Sequence, residues 1–183
     1  MEKNKKFKID KLYQNYSDEI FDLAKNHSNN IFFNSSEWHA SIVHKALVKY
    51  AEKDLTIFCG NMLSDISNND EYCNYMTSFL KEDKSRTVYI IFNKYSEVFL
   101  HTKIAKIFSE FPAQVKIKTY AGEVKYKGKN VHFTVVDNRA FRFETDIEKK
   151  MAFGSFNQPD TAAALKISFD KLFYSFLTKP IFL

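Results

Sequence analysis

The chain has 183 residues, a formal charge of +5, and 45% hydrophobic and 27% charged residues. That balance builds one sizeable core and excludes general disorder, a collagen-like repeat and a low-complexity fibre. No run approaches 18 apolar residues, no apolar stretch follows the basic N-terminus, and Cys59 and Cys73 are the only cysteines. A membrane span, a secretory signal, a disulfide framework and a zinc knuckle are therefore not expected, and the expected setting is cytoplasmic.

Leu12, Tyr16, Ile20, Leu23 and Ala24 recur at helical spacing over residues 10–26, within an N-terminal helical arm of residues 1–28. Ile31 to Phe33 read as a short strand. Ser35 or Ser36 caps a helix to about Ala51 that buries Trp38, Ile42, Val43, Ala46, Leu47 and Tyr50. Leu55–Cys59 and Thr87–Phe92 are continuous apolar runs, as expected of central strands covered on both faces. A helix over 68–82 lies between them. Ser96 opens a further helix that Pro112 ends, and Val115–Lys118 is the next strand. Strands alternating with helices indicate crossover units and a mainly parallel sheet. After residue 113 short alternating runs predict a meander or hairpins added to that sheet. Pro159 then starts a last helix whose apolar face is Leu165, Phe169, Leu172, Phe173 and Phe176. The expectation is one domain over residues 1–183: α/β, with a mixed, mainly parallel sheet flanked by helices.

The chain has four glycines and neither GxGxxG nor GxxxxGK[ST], which excludes the standard dinucleotide and P-loop sites. No cofactor and no metal are expected. His39 and His44 lie about 140° apart around a helix and cannot form the i, i+4 zinc pair; they read as structural or surface histidines. Glu144, Asp146 and Glu148 alternate, and read as a solvated turn unless they converge on a cation. His132 differs, because it sits inside the strand pattern VHFTVVD, sharing a face with Thr134 and Val136. Further on, Gly154-Ser155-Phe156-Asn157 leads straight into a helix, a turn suited to holding an anion.

His132, Asp137, Gly154, Ser155 and Asn157 together resemble the H-x-K-x4-D and G-S-x-N signature of the phospholipase D superfamily. The order of elements resembles that family's α/β domain in outline. Two departures stand out: Thr134 occupies the phosphate-binding Lys position, and Asp137 follows His132 by five residues rather than seven. The resemblance implies that His132 attacks phosphorus, that Asp137 orients it, and that Ser155 and Asn157 contact phosphate. Arg139 or Arg142 from the inserted segment is the candidate replacement for the missing Lys. One motif copy implies a homodimer for activity, with two sites meeting on a two-fold axis.

Positive charge is nearly all Lys, with only Arg86, Arg139 and Arg142 as arginines. That composition suits an AT-rich genome, and the scarcity of Arg argues against a base-reading DNA binder. Lys116 and Lys118 precede Tyr120-Ala121-Gly122, and Lys125 and Lys127 follow it. A two-residue turn there sets like charges opposite each other, which reads either as a Lys-protected edge ribbon or as a cradle for a nucleic-acid backbone. The leading expectation is a degenerate phospholipase D-like domain, weak or inactive in catalysis. It would bind nucleic acid or another phosphodiester, or act within a larger bacterial assembly. The alternatives are a homodimeric, metal-independent phosphodiesterase or endonuclease working through a phosphohistidine, and a purely structural interaction subunit.

Overall fold

The computed structural model describes residues 2–183, with side chains from residue 11 onward. In chain order it forms α1 (Glu2–Lys25), β1 (Phe32–Ser35), α2 (Glu37–Lys49), β2 (Asp54–Cys59), α3 (Asp65–Asn68), α4 (Asp70–Glu82) and β3 (Thr87–Phe92). A 3-10 turn (Glu97–His101), α5 (Lys103–Ser109), β4 (Val115–Tyr120), β5 (Lys125–Tyr126), β6 (Lys129–Asn130) and β7 (His132–Val136) follow. The chain continues with β8 (Ala140–Asp146), β9 (Met151–Ser155), α6 (Pro159–Phe173) and β10 (Thr178–Ile181).

Eight strands form one sheet in the order β1-β9-β8-β7-β2-β3-β4-β10. Only β2, β3 and β4 pair in parallel, because the crossover helices lie between them; the meander β7-β8-β9 is joined by antiparallel pairings beside β2, as are β1 and β10 at the edges. The α/β expectation holds, with the antiparallel share larger than expected. Strand alternation splits the core in two. Leu55, Ile57, Val88, Ile90 and Phe92 face the helices α1, α2, α4 and α5, with Ile20, Val43, Leu47, Met76 and Phe108 among their partners. Phe58, Ile91, Phe133, Val135 and Phe141 face α6, through Ala162, Phe169 and Phe173. Each buried Phe stabilises by roughly 1.5–3 kcal/mol relative to exposure, so the six aromatic rings of the α6 side, Phe143 among them, hold that helix down.

Several local expectations change. Ser36 is the cap of α2, its Oγ accepting from the His39 amide at 3.1 Å. Trp38, in the first turn of α2, packs against Tyr13 and Tyr16 of α1 instead of entering the core and stays 36% exposed. The helix after Ser96 is broken at Thr102, whose side chain caps α5. Phe176 lies beyond the end of α6 and is exposed, so it adds nothing to the apolar face. The Lys118–Lys125 hairpin does not form. β4 is flanked by β3 and β10, which use both its edges, and Lys125 pairs with Asn130 in a separate two-stranded ribbon.

Candidate functional site

The carboxyl ends of parallel strands are where α/β sheets open crevices. β7 runs antiparallel to β2, so its first residue, His132, stands at that end, beside Phe58 and Cys59. Register sets His132 directly opposite Glu144 and Thr134 directly opposite Arg142 on β8. These side chains lie on the face that α2 covers, where they line a cavity of ≈ 170 Å³ together with His44, Asn61, Ser64 and Lys150.

A chain of hydrogen bonds fixes the floor. Glu144 Oε2 lies 3.1 Å from His132 Nδ1, and Arg142 Nη2 donates to Glu144 Oε1 at 3.0 Å. Arg142 Nε donates to Asn34 Oδ1 at 3.0 Å, and Asn34 Nδ2 donates to the Lys150 carbonyl at 2.7 Å. Burial pushes the Glu144 carboxyl up, but the His132 hydrogen bond and the Arg142 charge outweigh it and bring its pKa down to about 2. An ionised carboxylate only accepts, so His132 Nδ1 is the donor. His132 Nε2 is buried and has no hydrogen-bond partner among the described residues. A Cβ on Gly60 would stand in ordinary van der Waals contact with that ring edge, 3.7 Å from Cε1 and 4.0 Å from Nε2. The described residues use two of Arg142's five N–H donors.

His44 comes from α2 into the same cavity. Burial, then the charge of Arg142, push its pKa down to about 3 against the smaller opposing pull of Glu144. His44 is therefore neutral at pH 7. Its folded pKa lies below the ordinary 6.5, so the unfolded chain takes up a proton that the folded one refuses, and stability falls as pH drops from 6.5 towards 3. Glu144 adds its own loss only below its ordinary value of 4.5. Burial lowers the His39 pKa as well, so the comparison of wild type with His44→Gln in urea at pH 7.5 and pH 5.0 separates the two: the part of the loss at the lower pH that His44→Gln removes is expected to be about 2 kcal/mol.

The other residues singled out in the sequence do not join this cavity. Asp137 sits at the opposite end of β7, where its carboxylate accepts from the amides of Glu52, Lys53 and Asp54 at 2.9, 2.7 and 3.1 Å. Asp137 and Asn138, both at φ 53°, make the turn into β8. Arg139 is held at that far end by Asp137 and the carbonyls of Tyr50 and Phe156. Ser155 lies opposite Phe141, also towards the far end; its Oγ donates to the Ser28 carbonyl, and Asn157 is exposed. The glycine of GSFN answers a packing need, because a Cβ on Gly154 would collide with the Phe141 carbonyl and the Phe32 ring. The physical reason for the separation is β9. Its hairpin reverses the chain after Glu144 and carries GSFN back down the sheet. Lys116 and Lys118 are spent on the carbonyls of Pro112 and Phe173. Lys125 pairs with Glu123. Asp146 pairs with Lys129, and no group of three potential metal ligands forms among the described residues. Sequence reasoning missed His44, although its spacing from Ala40 and Leu47 places it on the buried side of α2, where a polar residue signals a site.

The sheet order and the crevice define a phospholipase D-like α/β fold. NucT from Helicobacter pylori shares it, at 12% identity and a TM-score of 0.57 over 83% of this chain and 99% of that one. TrmBL2, described as an archaeal chromatin protein with a novel mode of DNA binding, matches at 9% identity and a TM-score of 0.58 over 82% of this chain. The match spans about half, 53%, of TrmBL2. Such identities establish a shared fold. No family model and no curated protein matches the sequence. No helix among the described residues is long and apolar enough to cross a membrane.

Proposed function

We propose that this chain binds a phosphodiester in the His132 cavity and does not cleave it efficiently. The observation that carries the reading is the pairing of Thr134 with Arg142. Where the phospholipase D motif has its phosphate-binding Lys, this chain has a threonine, and the neighbouring strand brings a guanidinium to the same place. Arg142, Lys150 and His132, whose buried Nε2 has no partner among the described residues, then line a space large enough for a phosphate group. Lys94, Lys127 and Lys149 follow β3 or stand in the turns of the ribbon and the β8–β9 hairpin at this end of the sheet and favour an anion there, while Lys125 and Lys129 are offset by Glu123 and Asp146. Efficient cleavage would need an acid for the leaving group. His44 is neutral at pH 7, and Asp137, Ser155 and Asn157 lie away from the cavity.

A second reading, a homodimeric metal-independent phosphodiesterase, is favoured by one observation. His132 has the form of an oriented nucleophile, with Nδ1 held by a carboxylate and Nε2 left without a partner among the described residues. Titration with bis(p-nitrophenyl) phosphate in EDTA separates the two, since the compound reports both binding and release of nitrophenol. The expected result is saturable binding that Lys150→Ala weakens about fivefold or more, without release. Release that His132→Ala abolishes would establish the enzyme instead. Absence of saturable binding would overturn both readings.

A further inference from the structure

The β5–β6 ribbon stands apart from the main sheet, at the cavity end of β7. Its sequence is Lys125-Tyr126-Lys127-Gly128-Lys129-Asn130. Lys127 and Gly128 both have positive φ, 49° and 78°, and form the two-residue turn. Nothing in the core requires this composition. Lys125 pairs with the exposed Glu123 and Lys129 with the partly buried Asp146, while Lys127 has no carboxylate partner among the described residues and lies 5.3 Å from the Tyr126 ring centroid. The Tyr126 ring is 48% exposed yet held from behind, perpendicular to Phe143 at 5.4 Å between centroids. Phe143 itself is anchored in the α6-side core against Phe153.

We infer that Tyr126 is a stacking platform for an unpaired base, and that the ligand of this end of the molecule is single-stranded nucleic acid. A braced aromatic ring among lysines matches what a single strand offers, an exposed base face beside a phosphate. A duplex hides its base faces and would meet only the lysines. The cation–π contact of Lys127 is weak at an exposed site and yields to a base. Only Val131 lies between Asn130 and the start of β7, two residue steps or about 7 Å, so a strand with a phosphate in the cavity lays a neighbouring base over the ribbon. That last step rests on the phosphate reading of the cavity; the stacking itself does not.

Fluorescence anisotropy with a labelled 12-nucleotide oligo-dT, the same strand carrying abasic sites, and a duplex of equal length tests the inference. Tyr126→Ala is expected to weaken oligo-dT binding about tenfold, to leave the abasic strand unaffected and to keep the salt dependence. Tyr126→Phe should bind as the wild type does, which excludes a folding artefact. Lys127→Ala should instead lower the salt slope by about 0.7. Equal binding of oligo-dT by the wild type and Tyr126→Ala, a duplex bound as tightly as the single strand, or no binding of any oligonucleotide would each overturn the inference. The cavity reading fails separately. If Tyr126→Ala weakens binding while Lys150→Ala changes neither oligo-dT nor bis(p-nitrophenyl) phosphate binding, stacking stands and the cavity assignment falls.

Discussion

Arg142→Met is expected to cost about 3–5 kcal/mol of unfolding free energy, among the largest effects a single substitution has in this chain. Both Arg142 and Glu144 are buried, with side chains 4% and 7% exposed. Removing the guanidinium leaves the Glu144 carboxylate out of water with only His132 to answer it, and it leaves Asn34 Oδ1 without its donor. The loss should shrink at acid pH, because protonation then relieves the stranded charge. Arg142→Met combined with Glu144→Gln should recover much of the stability, since the amide keeps a hydrogen bond to His132 without a charge. Urea denaturation of the two single variants and the double variant closes the cycle. The recovered double variant should still fail to bind bis(p-nitrophenyl) phosphate. Stability regained without binding would mark the ion pair as retained for the site, because an apolar replacement of such a pair is often neutral for the fold. A double variant that binds as the wild type does would remove Arg142 from the phosphate site.

The parts of this fold legible in the sequence are those written in short-range patterns. Leu55–Cys59 and Thr87–Phe92 are apolar without interruption because helices cover both their faces, and both are strands at the centre of the sheet. Pro159 marks the first turn of α6 for a local reason, its missing N–H. The face of His132 followed from alternation alone, and the structure puts Thr134 and Val136 on that face. What the pattern does not contain is partner choice. β1 pairs with β9 and β4 with β10, across separations that no local period records. The same blindness affected the site. GSFN follows the His132 strand in sequence, but the β8–β9 hairpin carries it towards the other end of the sheet. Arg142 is a candidate only through the family resemblance and Glu144 reads as part of a solvated turn, until the register sets them opposite Thr134 and His132. The one local signal of the site that went unread is His44, a polar residue on an otherwise apolar helix face.

Asp137→Ala is expected to cost about 3–4 kcal/mol, and its cause separates the fold from the chemistry that the family resemblance implies for this residue. The carboxylate, with its side chain 4% exposed, gathers three consecutive amides at the entry to β2 and the Arg139 guanidinium. Hydrogen bonds to a charged group contribute about 1.5–3 kcal/mol each, but neighbours that share one acceptor do not add fully. Alanine also pays for a left-handed backbone at φ 53°, a penalty of about 1–2 kcal/mol that glycine and asparagine largely avoid. The expected order of destabilisation is therefore Ala, then Gly, then Asn, and the gap between Ala and Gly measures the backbone strain less the extra unfolded-state entropy of glycine. Asp137→Asn keeps one acceptor oxygen and should unfold at a denaturant concentration only modestly below the wild type. Because Asp137 lies at the far end of β7 from His132, this variant should bind bis(p-nitrophenyl) phosphate as tightly as the wild type. If it loses binding while its stability is unchanged, Asp137 acts on the cavity after all, and the phosphate site assembles in a form of the molecule in which the two ends of β7 are coupled.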